Sequence, residues 1–366
     1  MALRTLGLKW RVAAVLIGLM IGLLTPAEVL AAGGAALPAA SVEEPAATPA
    51  APPAAAADPA AATSAEPEKV FVGTYINDIQ KIDLQSNSYI VDLYVWFRWK
   101  KKDFNPLTSM EYMNPFQKSE HVSTPLYDAP QDLPDGSKYM AVRTQGAFSS
   151  KLPLARYPFD KQTLVITFED NELVGEEMTY VPDDTPITLN KDITLPGYIV
   201  GTPSLTAAVR AYPTNFGDPR EVGLPAYSRV TISIPVRRPI LTNAIKVLLP
   251  LFLIVACAGL VFFIHPDLVD ARIGLGITAL LSLVALQLTS ATQMPEVDYL
   301  TLTDQVYYAG YAFVLFSIAH VVRTCWPGWR QNAERAVIAD RRWVAGLTLT
   351  FLAAVALIFY ASIWRV

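Results

Sequence analysis

One apolar segment of the chain carries small, hydroxyl and bulky apolar side chains at intervals of three and four residues, so that they share one face of a helix. That face contains Gly274, Thr278, Leu281, Ala285, Leu288 and Thr292, and Asp270 stands just before the helix. A ring of such helices would enclose a pore with an acidic mouth, which favours cations, and an apolar constriction, which closes by dewetting. The alternative interpretation is an ordinary bundle helix whose small residues allow close packing.

Few residues could support catalysis or bind a metal. The sequence has 3 His and 2 Cys, which is too few for a structural Cys/His zinc site. Cys257 falls inside an apolar segment and Cys325 lies beside a basic loop, so a disulfide framework is not expected. The sequence also has no nucleotide-binding glycine loop and no credible Ser-His-Asp order. We therefore expect neither enzyme activity, nor a metal, nor a cofactor.

The composition argues against a wholly soluble protein. Of the 366 residues, 52% are hydrophobic and 17% are charged, whereas about 25% of the residues of a soluble domain are charged. The formal net charge of −4 gives no basic footprint for nucleic acid. The length is sufficient for two or three domains.

The beginning of the chain resembles an export signal followed by a linker. Residues 1–32 have a positively charged start, an apolar stretch and small residues suited to cleavage, which indicates a signal peptide. An uncleaved signal anchor is the alternative. Residues 33–69 are rich in Ala and Pro and cannot bury a core, so we expect a disordered linker. With either kind of signal, the residues after the linker are expected to be sent across a membrane.

Residues 70–239 predict an exported β domain. Runs of β-branched and aromatic residues at 89–99, 163–168, 207–212 and 229–236 indicate short strands. In the first run, alternate residues such as Val95 and Phe97 share one face, and Tyr94 and Trp96 share the other. Short strands separated by turn residues are typical of an all-β sandwich or barrel.

Residues 240–366 predict a transmembrane domain of four helices, at about 241–264, 270–293, 304–323 and 341–364, each close to the roughly 20 residues that span a bilayer. If the β domain is exported, the connection between the third and fourth helices is cytoplasmic. That connection carries Arg323, Arg330, Arg335, Arg341 and Arg342, whereas the connection between the second and third helices has no Lys or Arg. This bias obeys the positive-inside rule.

Four motifs, in order, resemble those of the pentameric ligand-gated ion channels, the Cys-loop receptor superfamily. Residues 156–162, Arg-Tyr-Pro-Phe-Asp-Lys-Gln, resemble the family's aromatic-Pro-Phe-Asp-x-Gln loop. Ser149 and Thr163 stand where animal members have the two loop cysteines. The prokaryotic members of the family also lack both cysteines. Residues 236–239 with Pro250, residues 270–283, and residues 294–305 resemble the start of the first helix, the pore helix and the following linker. The resemblance covers residues 70–366.

The resemblance implies a prokaryotic homopentamer in which five Leu281 side chains form a hydrophobic gate and Asp270 forms a selectivity ring. The loop with Tyr157, Pro158, Phe159 and Asp160 is then expected to meet Arg237 and the linker that begins at Pro295. An Asp160–Arg237 ion pair would couple the β domain to the gate. The alternatives are a weak surface ion pair or no contact.

The resemblance also implies an agonist site between subunits, commonly built from aromatic residues that hold a cation. Tyr94 and Trp96 match one side, and Glu169 and Asp170 stand where the opposite side is expected to be aromatic. Tyr212, Phe216 and Tyr227 are expected to complete the wall. An acidic pocket of this kind would suit a small primary amine, a divalent cation or protons. The alternatives are interface packing for the aromatic residues and a solvated turn for the acidic ones.

Together, these observations predict an all-β sandwich joined to four transmembrane helices, assembled as a ring-shaped pentamer in a bacterial inner membrane. The β domain is expected to be periplasmic. The predicted function is a ligand- or proton-gated channel that passes monovalent cations. The alternative is a receptor of the same fold that conducts nothing.

Overall fold

The computed structural model describes residues 66–101, 103–217, 225–324, 326 and 333–364. The predicted signal peptide, nearly all of the predicted linker and Cys325 lie outside the described residues. The described chain forms a β domain followed by a helical domain.

The strands of the β domain are β1 (Glu68–Asp83), β2 (Ser88–Trp99), β3 (Met110–Tyr112), β4 (Val122–Pro125), β5 (Gln131–Asp132), β6 (Lys138–Ser149), β7 (Lys161–Asp170), β8 (Met178–Leu189), β9 (Ile199–Val200), β10 (Ser204–Ala211) and β11 (Ala226–Arg237). A short helix, α1 (Pro106–Ser109), precedes β3, and a 3₁₀ turn (Lys118–Glu120) precedes β4.

These strands form two sheets that pack face to face, as predicted. The first sheet has the order β4-β6-β2-β1-β8, with β5 also paired to β6. The second has the order β10-β11-β7-β3, with β9 also paired to β11. The pairing of β1 with β8 is parallel.

The alternation of side chains along the strands fills the space between the sheets. Val95 and Phe97 of β2 are fully buried, and the Phe97 ring meets the edge of Phe168 from the second sheet at 6.2 Å between centroids. Tyr94 and Trp96 consequently lie on the outer face of the first sheet, where each is half-buried.

The helical domain has four helices that are long and apolar enough to cross a membrane among the described residues. They are α2 (Ile240–Gly259), which continues into a 3₁₀ turn (Leu260–Phe263), α3 (Val269–Ala291), α4 (Leu302–Thr324) and α5 (Ala333–Trp364). The chain is therefore a multi-pass membrane protein.

Helix α5 begins eight residues before the predicted boundary at residue 341. Its first two turns contain no Gly or Pro, Ala336 and Asp340 are each 1% exposed, and Asp340 bonds to Arg272 of α3 and His320 of α4. Tertiary contacts therefore extend the helix beyond its apolar span.

The four helices differ in the share of their apolar span that is buried by the rest of the chain. In α4, 56% of the apolar span is buried, whereas only 17% is buried in α3. One long side of α3 is thus left uncovered by the rest of the chain.

Candidate pore and gating residues

The uncovered side of α3 is the face that the sequence singles out. Asp270 and the six residues that follow it at helical spacing, Gly274, Thr278, Leu281, Ala285, Leu288 and Thr292, are all exposed in the single chain. Leu281 is 64% exposed and Leu288 is 63% exposed. On the opposite face, Ala279 and Leu283 are buried in the core of the bundle.

Close packing against α4 fixes this orientation. A Cβ atom added to Gly276 would lie 2.8 Å from Ile318 of α4, so only a glycine allows the two helices to approach this closely. Further along, the Tyr311 hydroxyl donates to the Gln287 side chain, and Ser290 shares a hydrogen bond of 3.0 Å with Tyr307. The face that carries Leu281 must therefore point away from the bundle.

The hydroxyl groups on the exposed face bond within the helix. Thr278 Oγ1 donates to the Gly274 carbonyl at 2.8 Å, and Ser282 Oγ donates to the Thr278 carbonyl at 2.9 Å. Leu281 and Leu288 stand two turns apart, about 10 Å along the axis. The exposed face therefore carries a charge at Asp270, is weakly polar around Thr278 and is apolar from Leu281 to Leu288.

Sequence reasoning missed a buried charge on the other side of α3. Arg272 is 1% exposed and pairs with Asp340 of α5 at 2.7 Å. An arginine and an aspartate at the edges of apolar segments are the sequence signal that could have found this pair.

The loop between β6 and β7 connects the β domain to the helices. The Leu302 amide donates to the Ala155 carbonyl at 3.0 Å, and Thr303 Oγ1 donates to the Tyr157 carbonyl at 2.8 Å. The Leu154 amide donates to the Tyr299 hydroxyl at 2.9 Å. The loop therefore meets the linker between α3 and α4, through residues that lie beyond Pro295.

Phe159 anchors the same loop in the helical domain. Its ring lies 5.7 Å from that of Phe359 near the end of α5, and it packs against the apolar core of the bundle. Pro158 beside it is buried. A movement of this loop would consequently displace side chains and backbone groups that contact both α4 and α5.

The expected Asp160–Arg237 pair is wrong, because Asp160 pairs with Arg238 instead. Arg238 Nε donates to Asp160 Oδ1 at 2.9 Å, with the two side chains 12% and 1% exposed. Val236 points into the sandwich, so strand alternation sends Arg237 outwards to solvent. Arg238 lies just past the end of β11 and can turn back towards the loop.

Two tyrosine rings and an amide complete this junction. The Arg238 guanidinium lies 4.5 Å from the centroid of Tyr198 and 5.1 Å from that of Tyr157. Gln162 Nε2 donates to the second oxygen of Asp160 at 2.6 Å. Burial raises the pKa of Tyr198 to about 12 and also raises that of Tyr157, so both phenols stay neutral and offer cation–π contacts.

Four of the predicted ligand-site residues come together on the second sheet. Tyr212 Oη donates to Glu169 Oε2 at 2.7 Å, and its ring lies 5.4 Å from Phe216 and 6.0 Å from Tyr227. Burial, followed by the neighbouring Glu169 carboxylate, raises the pKa of the Tyr212 phenol. Phe216 is 66% exposed, so this cluster opens to solvent.

Among the residues that the structure describes, neither Glu169 nor Asp170 offers an unpaired, open carboxylate to this cluster, in contrast to the predicted acidic pocket. Glu169 is directly opposite Arg229 in the β7–β11 register, and the two side chains form an ion pair. Asp170 faces inwards and is 1% exposed. Its carboxylate accepts hydrogen bonds from the Ser109 hydroxyl and from the amides of Glu172 and Leu173, so it supports the turn instead of facing a ligand.

Tyr94 and Trp96 lie apart from this cluster, on the other sheet. Trp96 Nε1 donates to Asp183 at 3.0 Å, and its ring lies against Gly73, where a Cβ atom would come within 2.2 Å of it. The Arg143 guanidinium lies 5.5 Å from the centroid of the Tyr94 ring. A site that uses both groups therefore needs two copies of the chain.

Comparison with known proteins agrees with this arrangement. Residues 247–344 match the neurotransmitter-gated ion-channel transmembrane region. The acetylcholine-gated chloride channel subunit acc-1 of Caenorhabditis elegans is 21% identical over 280 residues, which are 69% of this chain and 57% of that relative. The serotonin-gated chloride channel mod-1 of the same organism is 25% identical over 224 residues, 61% of this chain and 42% of the relative.

A bacterial relative matches over more of its length. The proton-gated ion channel of Gloeobacter violaceus is 22% identical over 304 residues, which are 79% of this chain and 82% of that protein. The chain spans about half the length of the two nematode relatives. The family consists of ligand-gated channels and not of enzymes. The β-sandwich, the four helices and these matches make the chain similar to the pentameric ligand-gated ion channels, with the family model covering residues 247–344.

Proposed function

We propose that the protein is a cation-selective channel, a homopentamer in which the α3 helices of five copies line the pore. The observation that carries this proposal is the exposure of the entire Asp270-to-Thr292 face of α3, while the opposite face is packed into the bundle. A pore-lining helix needs such a face, because its own chain must leave it open to the permeation path.

Leu281 is the proposed gate. Its exposed isobutyl group, with Ala285 and Leu288 in the next two turns, gives an apolar stretch that would dewet when the ring is narrow. Opening then requires a small rotation or tilt of α3, driven through the loop that contains Tyr157 to Asp160.

Asp270 is the proposed selectivity ring. It is exposed in the first turn of α3, whereas the nearby positive charge, Arg272, is buried and paired with Asp340. The two nematode relatives are named as chloride channels, so anion selectivity is the competing expectation. The disposition of charge in this chain supports cations instead.

The proposed stimulus is a small ligand or protons, acting at the boundary between subunits. Tyr94 and Trp96 of one copy would face Glu169, Tyr212, Phe216 and Tyr227 of the next. Because Arg229 already neutralises Glu169, an amine would have to compete with that guanidinium for the carboxylate.

The proposed location is a bacterial plasma membrane, with the β domain on the outer side and the connection between α4 and α5 in the cytoplasm. The concentration of arginine around that connection supports this orientation. Stimuli should therefore act from the outer side.

Voltage clamp of the purified protein in planar bilayers tests the proposal. With a tenfold KCl gradient, currents evoked by steps from about pH 8 to about pH 4, or by a panel of small amines, should reverse near the potassium equilibrium potential, about 59 mV from zero. Asp270→Asn should move the reversal potential towards zero. Glu334→Gln, which removes an exposed carboxylate from α5, is the matched control and should not.

Reversal at the chloride potential would refute the proposed selectivity. Silence that persists in a Leu281→Ser variant would favour the receptor that conducts nothing.

A further inference from the structure

A buried ion pair joins the start of α3 to the start of α5. Arg272 and Asp340 are each 1% exposed, and Arg272 Nη2 donates to Asp340 Oδ2 at 2.7 Å. Arg272 Nε donates to the Val261 carbonyl at 3.2 Å. The guanidinium is therefore held on the bundle side of α3 by two other helical segments.

His320 of α4 occupies the second oxygen of the same carboxylate. Its Nε2 lies 2.9 Å from Asp340 Oδ1, and its ring is stacked on Trp343 at 4.7 Å and meets Phe262 edge-on at 5.6 Å. Buried Nδ1 has no hydrogen-bond partner among the described residues. His320 and Arg272 thus occupy both oxygens of the Asp340 carboxylate.

Helix geometry places this cluster near the proposed selectivity ring but facing away from it. Residues two apart on a helix differ by about 200° around its axis, so Asp270 and Arg272 point to opposite sides. The Cβ atom of Arg272 also tilts towards the start of α3. Five Asp270 carboxylates and five Arg272 guanidinium groups would therefore lie at the same end of the pore.

We propose that Asp340 determines ion selectivity through Arg272, by holding the guanidinium away from the permeation path and cancelling its charge. This inference rests on the proposed channel function. Without Asp340, the hydrogen-bond partners left to Arg272 among the described residues are the Val261 carbonyl and Thr324 Oγ1, at 3.2 and 3.5 Å. An uncompensated buried charge is strongly unfavourable, so the guanidinium would be drawn towards water and towards Asp270.

The experiment compares Asp340→Asn, Arg272→Gln, the double variant and Glu334→Gln by reversal potential in a NaCl gradient. Asp340→Asn should lower the sodium-to-chloride permeability ratio about tenfold, the order expected when five unit charges within about a Debye length of the permeating ions are unmasked. Arg272→Gln should shift the ratio towards sodium. The double variant should return close to wild type, which a purely structural role of Asp340 would not produce. Glu334→Gln should leave the ratio unchanged.

An unchanged ratio in Asp340→Asn, or a double variant that remains shifted towards chloride, would overturn the inference. If Asp340→Asn does not assemble, the test rests on Arg272→Gln. An unchanged sodium-to-chloride permeability ratio in that variant would then overturn the inference. A wild-type protein that prefers chloride would refute the proposed selectivity alone, because Asp340→Asn should still shift it further towards chloride. If no current appears even in a Leu281→Ser background, both proposals fail.

Discussion

Replacing Arg238 by Gln would leave the Asp160 carboxylate buried without its cation. In the structure, Asp160 has a side chain that is 1% exposed, and its oxygens are bonded by Arg238 and Gln162. The variant removes the first partner and also the guanidinium that lies between the Tyr157 and Tyr198 rings. The perturbation is therefore concentrated at the junction between the β domain and the helices.

The burial of Asp160 determines how much stability Arg238→Gln is expected to lose. Breaking a buried pair by removing one partner costs about 3–5 kcal/mol, because an uncompensated charge remains. For a domain of this size, that corresponds to a fall of roughly 6–20 °C in the melting temperature. Arg237→Gln, at the neighbouring exposed arginine, should change stability by less than about 0.5 kcal/mol.

Thermal unfolding of the detergent-solubilised protein measures this difference. The double variant Asp160→Asn/Arg238→Gln should be more stable than the sum of the two single variants, since it leaves no unpaired charge. Agonist activation should also require a higher concentration in Arg238→Gln than in Arg237→Gln. Equal melting temperatures for the two arginine variants, or strictly additive single variants, would refute the reasoning.

Three further changes are predicted from the structure. Leu281→Ser should open at lower agonist concentration, because a hydroxyl wets the constriction; a higher half-activating concentration in recordings would contradict this. The Arg143 guanidinium lowers the pKa of Asp92, so the stability from that carboxylate is present above its ordinary pKa of about 3.9 and is lost as pH falls through the lowered value. Asp92→Asn should therefore melt below wild type at neutral pH, with a gap that narrows below about pH 4; a constant gap argues against this linkage. Gly73→Ala should lower stability by about 1–3 kcal/mol, since a Cβ atom would overlap the Trp96 ring, and adding Trp96→Ala should recover part of the loss, as calorimetry can check.

Features that depend on local periodicity could be predicted from the sequence. Alternation in β2 separates buried Val95 and Phe97 from half-buried Tyr94 and Trp96. Helical spacing in α3 identifies the face that the chain leaves uncovered. Both patterns follow from the geometry of a single element, so they need no knowledge of its neighbours.

Features that depend on distant pairings could not be predicted in the same way. Glu169 meets Arg229 because of the register between β7 and β11, and Arg272 meets Asp340 because α3 and α5 both pack against α4 and the 3₁₀ turn (Leu260–Phe263). Likewise, the choice of Arg238 over Arg237 depends on how the chain leaves β11. The spacing of residues along the sequence does not indicate which distant side chains will pair.

Cysteine accessibility along α3 tests the central claim, that its uncovered face lines a water-filled pore. In a background in which Cys257 and Cys325 are Ser, single cysteines would replace Thr278, Leu281, Ala285 and Leu288, with Ala279 and Leu283 as buried controls. A charged, thiol-reactive reagent applied to open channels should reduce the current at the first four positions and leave both controls unaffected. Equal block at all positions, or block confined to the controls, would contradict the account.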